Sequence, residues 1–410
     1  MIRHLLTLMW NRKRRNALLC IEILFSFAVV AVLAVFALNY VNNWRLGIGY
    51  RIDDVWVVVM GPSGRTGIGQ LPETSGQVVR DLMATARSVP AVQAVTALNI
   101  TPYSFSDWSG DTHLTDGRTL YVFMNAATDE TPDVLGLDLT EGRWFRNDDA
   151  SDRARPVVIN QRLARDIFGE SPAAGQIIPE NPPDREDDPR SVWKPRRVIG
   201  VVREFRKDGE FSTPQHYMFT RFDLERPNAG PFPTALLVRV APGTPAAAEE
   251  TLLNALRGVA RDWSFQVHPL AQDRQTITRF YLSVLLVPAV IAAFVLLMVA
   301  LGLIGVLWQN VTARTREFGL RRANGASAET IRRQVLLELL ILASFALVPG
   351  ALLGFQLTAL PIPDYVVPGR IIIAGVAVSV VVIYLVVLVC GWYPSRMATA
   401  IRPAEALHYE

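Results

Sequence analysis

Polar and apolar positions divide the 410-residue chain into two kinds of block. Four runs (17–41, 280–309, 335–360 and 371–393) stay apolar long enough to cross a hydrocarbon core, which takes about 20 residues. The first is too long for the apolar core of a secretory signal. No small-x-small cleavage site precedes Asn39, so this run reads as an uncleaved anchor. Pro349–Gly350 predicts a kink in the third run, and Gly302 and Gly305 predict a close-packing face on the second.

Residues 42–279 alternate short β-rich runs with amphipathic helical ones. Strand 55–60, helix 74–87 and strand 91–100 are followed much later by strand 234–240, helix 245–261 and strand 264–269. The two β-α-β units flank an insertion, 129–231, with its own strands at 156–159, 197–202 and 215–220 and a helix at 161–168. The pattern predicts an α+β domain of two lobes, one (42–128 and 232–279) interrupted by the other (129–231). Within the insertion, 179–195 (PENPPDREDDPRSVWKP) is too rich in Pro and charge to pack a core. It reads as an exposed hairpin tip, with Asp184, Arg185, Glu186 and Trp193 as candidate partner contacts.

Charge changes the picture by giving the spans a direction. Residues 42–279 hold 27 basic and 31 acidic residues, whereas the flanks hold 14 and 7. Arginines and lysines concentrate in the tail 1–16 (Arg3, Arg12, Lys13, Arg14, Arg15), in the loop 310–334 (Arg314, Arg316, Arg321, Arg322, Arg332, Arg333) and in the tail 394–410 (Arg396, Arg402). The short loop 361–370 has Arg370 against Asp364. By the positive-inside rule both termini and the 310–334 loop are expected in the cytoplasm, and 42–279 outside. The basic balance therefore reads as membrane orientation and lipid contact, not nucleic-acid binding. Cys20 and Cys390 both lie in apolar runs, which leaves no disulfide for the outer domain. Glu22 reads as an acid that snorkels to the surface. Glu338 keeps two readings open, a functional intramembrane carboxylate and a cap for a neighbouring Arg.

Catalytic patterns are sparse. The sequence has no GxxxxGK[ST] phosphate loop, no GxSxG elbow and no HExxH, and its five histidines lack metal-ligand spacing. The most specific stretch is 310–327, NVTARTREFGLRRANGAS: an Arg-rich helix with one embedded acid, closed by Gly325. Such a helix suits docking in an acidic groove of a partner, or alternatively contact with lipid headgroups.

This stretch resembles the signature of MacB/FtsX-type ABC permeases, R-x-x-E-[FI]-G-[IL]-R-x-A-x-G-A. Arg314, Glu317, Phe318, Gly319, Leu320, Arg321, Ala323, Gly325 and Ala326 fall on it. PSRMATAIRPAEAL at 394–407 resembles the family's ending, with Pro403, Glu405, Ala406 and Leu407 matching. VLGLDLTEGRWF, PVVINQRLARDIFG and VIGVVREF resemble its periplasmic-core segments.

The resemblance implies an integral inner-membrane protein of four transmembrane helices, multi-pass, with Porter-like and Sabre-like lobes in the periplasm. It implies that 310–334 is the coupling loop, with Arg314, Glu317, Phe318, Gly319, Arg321, Arg322, Gly325 and Ala326 as the coupling set. The chain itself is expected to carry no cofactor, since ATP and Mg would be bound by a partner ATPase. MacB carries a fused ATPase ahead of its first span; here 1–16 precedes it, so the ATPase is expected on a separate polypeptide. A second permease copy or a paralogue would complete the membrane part. Export with a periplasmic adaptor and an outer-membrane channel is the favoured expectation. Lipoprotein release of the Lol type and an FtsX-like relay controlling cell-wall hydrolases are the alternatives.

Overall fold

The computed structural model describes residues 13–62, 74–151, 154–181, 194–222, 224–225, 231–323, 325–356 and 367–400. It forms two compact units, Asn43–Phe280 and the combination of Met1–Asn42 with Tyr281–Glu410. In chain order the elements are α1 (Lys13–Trp44), β1 (Val55–Pro62), α2 (Ser75–Ser88), β2 (Val92–Leu98), β3 (Ser109–His113), β4 (Thr119–Ala127), α3 (Thr131–Leu135), β5 (Leu139–Gly142), β6 (Arg155–Asn160), α4 (Gln161–Phe168), β7 (Arg196–Val202), β8 (Tyr217–Arg221), β9 (Ala235–Val240), α5 (Ala247–Val259), β10 (Trp263–Pro269), α6 (Leu270–Ala313), α7 (Thr315–Ala323), α8 (Ala328–Gln356) and α9 (Gly369–Ala400).

Among the described residues four helices are long and apolar enough to cross a membrane: Leu19–Trp44, Leu270–Ala313, Ala328–Gln356 and Gly369–Trp392. They share a core in which Ile23 and Phe27 of α1 meet Val299 and Leu303 of α6, Leu339 and Ala343 of α8, and Ile383 and Val387 of α9. Close approach depends on missing side chains. A Cβ on Gly350 would sit 2.8 Å from the Phe27 ring, and one on Gly375 would sit 2.4 Å from Val35. Gly302 has such a neighbour, the Glu22 carboxylate, 3.1 Å from an added Cβ; Gly305 meets nothing within 4 Å. Only one of the two glycines expected to pack closely on the second span therefore does so within this chain. Pro349 lies inside α8 and does not end it. Cys390 belongs to the shared apolar core.

In the other unit the strands form one continuous sheet, ordered β10-β1-β9-β2-β4-β8-β6-β7-β5, with β3 on β4. The two β-α-β units interleave: β1 pairs antiparallel with both β10 and β9, and β2 with β9. Helix α2 buries Val79, Leu82, Met83 and Ala86, the spacing of one helical face. These side chains and Leu252 and Leu256 of α5 pack on Val58, Leu236 and Val238, closing the first core. A second core joins Val157 and Ile159 of β6, Leu163 of α4, Val198 and Val201 of β7 and Met218 of β8.

Side chains ahead of the expected lobe boundary at 128/129 also pack in the second core. Leu114 and Val122, on either side of the β3–β4 turn, belong to the second core. Strand β4 runs parallel to β8 over five residue pairs and touches β2 through the single pair Leu98 and Ala127. The polar sequence of β3, SGDTH, gives no alternating signal, so the hairpin went unseen in the sequence. Asp184, Arg185, Glu186 and Trp193, offered as partner contacts, lie outside the described residues.

Candidate functional site

The residues matched to the permease signature form an elbow between two spans. Helix α6 stops at Ala313, the chain turns at Arg314, and α7 runs from Thr315 to Ala323. Gly325 has φ +90°, a left-handed conformation that costs a residue with a Cβ, and Ala326 N–H donates to the Arg321 carbonyl at 2.9 Å. That bond and that φ make a glycine-closed helix end. Ser327 then starts α8, its Oγ accepting from Thr330 N–H at 3.2 Å.

Inside the elbow the charges satisfy one another. Arg314 Nε donates to Glu317 Oε2 at 2.8 Å, and its Nη1 donates to Glu338 Oε2 at 2.8 Å. Arg321 donates to Glu317 Oε1 and to Gln334 Oε1, both at 2.5 Å, and Gln334 donates to Glu338 at 3.1 Å. Arg314 stacks 5.1 Å from the centroid of Phe318, whose ring is 1% exposed in the shared apolar core. Burial opposes the Arg314 charge, but the two carboxylates outweigh it and hold its pKa above the usual value.

This geometry divides the sequence-derived set. Arg314, Glu317 and Arg321 brace α7 against α8, and Phe318 anchors α7 in the core. Glu338 is the partner of Arg314, the contact expected of a carboxylate that caps an arginine. Gly319 is buried beside Phe318, Gly325 is exposed and Ala326 half-buried, while the Arg322 side chain lies outside the described residues. Among the described residues the outward face is formed by Leu320, 48% exposed, and by the tip 325–330. Sequence reasoning missed Gln334 and the exposure of Leu320. The i, i+4 spacing of Gln334 and Glu338 was the available signal.

A second polar assembly went unread within VIGVVREF and the residues after it. Arg206, 2% exposed, donates through Nη1 to the carbonyls of Asn43 and Leu46 at 3.0 Å and through Nη2 to Glu210 O at 2.8 Å. Asn43, in the last turn of α1, returns bonds to Phe211 O and Thr213 Oγ1 at 3.1 and 3.2 Å. Glu210 accepts from Arg274, in the first turns of α6, at 2.8 Å and from Tyr103 at 3.1 Å. The loop 206–213 thereby holds the ends of α1 and α6 that belong to the sheet-bearing unit. Tyr103 takes φ +61° here, a strained conformation held by these contacts. Burial, then the Glu210 charge, raise its phenol pKa and keep it a donor.

Two family models match. The MacB-like periplasmic core domain covers residues 23–255, more than half the chain, and the FtsX-like permease C-terminal covers 289–403. The chain is a MacB/FtsX-type ABC transporter permease.

Its relatives include the uncharacterized ABC transporter permease YvrN of Bacillus subtilis (strain 168), 24% identical over 98% of this chain and 97% of that one. The macrolide export ATP-binding/permease protein MacB of Agrobacterium fabrum is 29% identical over 67% of this chain but 41% of its own length. The crystal structure of the periplasmic region of MacB from Actinobacillus actinomycetemcomitans aligns with 55% of the permease and 94% of that chain, at 18% identity and a TM-score of 0.38.

Proposed function

We propose that this permease passes ATP-driven motion from a separate ATPase, docked on the elbow, to its α+β domain, and that the motion serves export. The observation that carries the reading is the internally braced elbow. A lever must be stiff, and here Arg314, Glu317, Arg321, Gln334 and Glu338 close on themselves across 24 residues of chain. Among the described residues they leave outward an apolar residue, Leu320, and a capped turn, a surface suited to a groove on a partner.

The arginine distribution supports a cytoplasmic elbow and an α+β domain in the periplasm, with the chain in an inner membrane. ATP and Mg would bind the ATPase, since this sequence has no phosphate loop. The Arg206 assembly supports transmission to the α+β domain, because the last turn of α1 and the first turns of α6 meet in one buried node within that unit. A second permease copy, a periplasmic adaptor and an outer-membrane channel complete the proposed export assembly; the export named in the MacB relatives favours this over lipoprotein release or signalling.

Tagged permease purified from its native membrane should bring down an ABC ATPase together with an adaptor. Recovery of a cell-wall hydrolase in place of the adaptor would move the reading to a relay. Absence of any ATPase would overturn it.

A further inference from the structure

In the sheet-bearing unit, the loop 101–108 between β2 and β3 carries a phenylalanine that belongs to neither core. Phe105 is 68% exposed, at the tip of a segment that is otherwise firmly held. Beneath it lies Lys207, whose side chain is 2% exposed. The Lys207 ammonium donates to the carbonyls of Ser104 at 3.0 Å and Ser106 at 2.9 Å, the two residues that flank Phe105. It also pairs with Asp107 at 2.7 Å and Asp208 at 2.6 Å. Tyr103, at φ +61°, donates its N–H to the Lys207 carbonyl at 2.7 Å. A buried cation and a strained backbone residue thus turn two carbonyls inward and leave the ring between them outside. That ring rests edge-on against Phe280, with 5.3 Å between centroids and 82° between planes. Phe280 is itself 47% exposed.

Phe280 fixes the depth of this loop, because it opens the apolar run 280–309 within the continuous helix α6. At about 1.5 Å per residue that run is about 45 Å long, the thickness of the hydrocarbon plus both headgroup layers. Phe280 therefore stands at headgroup depth, and Phe105 stands beside it. Trp44 repeats the arrangement at the end of the first span. It is 50% exposed and lies 5.2 Å from the ring of Phe211, on the loop that also carries Lys207. Exposed aromatic rings at the ends of both spans are the composition of a membrane interface. We propose that the loop 101–108 is a membrane anchor of the α+β domain. Phe105 enters the boundary between headgroups and acyl chains in the leaflet on that side. The partner is phospholipid and not a protein groove, because the ring lies level with the start of a span that lipid surrounds. Asp107, two residues on, pairs with Lys207, so the tip carries no unpaired acid into the interface. An apolar ring of this kind asks for hydrocarbon and is indifferent to the headgroup.

The test is nitroxide quenching in the full-length permease. Ser106→Cys keeps Phe105 and carries an environment-sensitive fluorophore, while Cys20→Ala and Cys390→Ala remove the other thiols. The chain is reconstituted in phosphatidylcholine vesicles that include a lipid with its nitroxide near the headgroup end of the acyl chain. Quenching should be at least about threefold stronger than in the same chain with Phe105→Glu, since insertion follows buried apolar area. Iodide in the water should quench the Phe105 chain less than the Phe105→Glu chain. Absence of nitroxide quenching in the chain that keeps Phe105 would overturn the proposal, and that result needs no change at Phe105. Equal quenching with and without Phe105→Glu would also overturn it, because the loop would then lie near lipid without its ring entering. If a soluble extract shields the fluorophore from iodide where lipid does not, the ring belongs to a protein interface and the membrane anchor is wrong.

Discussion

At the residue scale, Phe318 shows how a signature residue can work from inside. Its ring is buried with Val311, Ile331 and Val335, so Phe318→Ala should cost the helical unit about 3–5 kcal/mol. Thermal unfolding of the purified permease checks this, and a shift no larger than that of an exposed substitution would contradict the burial. His268 offers a residue-scale pH effect in the other unit. Its Nε2 lies 2.9 Å from Asp273 Oδ2, and that bond, ahead of opposing burial, raises its pKa. The sign follows from linkage: a raised folded value stabilises fully below the unfolded value of about 6.5 and is lost as pH rises through the folded one. Denaturant midpoints should therefore fall from pH 6 to pH 8.5 by more in wild type than in His268→Asn. Equal slopes would remove the pair from the account.

At the element scale, the elbow is set by two caps and one ion-pair network. Gly325 has open space around its Cβ position, so the penalty for Gly325→Ala is conformational, about 1–2 kcal/mol, and should appear as a lowered melting temperature. Arg314 and Glu338 should couple in a double-mutant cycle by about 0.5–3 kcal/mol, and additive single mutants would show that the brace is not formed in solution. The caps were legible because glycine and serine at helix ends act locally. The brace was not, since Arg314 and Glu338 are 24 positions apart and meet only when α7 folds back on α8. The same contrast runs through the sheet. Strands β1, β9 and β7 announce themselves by apolar runs, whereas the polar β3 and the single-pair junction of β2 with β4 are decided by tertiary contact.

At the scale of the whole molecule, the outer domain between the first and second spans gains a physical role from Arg206. Its guanidinium serves carbonyls of Asn43, Leu46 and Glu210, and also that of Ser212, all of which lose their donor in Arg206→Met. That substitution should destabilise the sheet-bearing unit by at least ~3 kcal/mol in urea unfolding of the full chain. Four apolar runs and one large domain were readable from hydropathy and charge alone. That the ends of the first two spans share one buried polar node was not, because it is assembled from four separate segments of the chain.

The central claim is that the elbow drives the permease through an outward face that includes Leu320, with Arg314 bonded to Glu317 and to Glu338 behind it. Reconstituted permease and ATPase, assayed for permease-stimulated ATP hydrolysis, test it most directly with Leu320→Asp. The account predicts that stimulation falls at least tenfold while the melting temperature stays within about 2 °C of wild type, as expected for an exposed position. Wild-type stimulation in that variant would contradict the account.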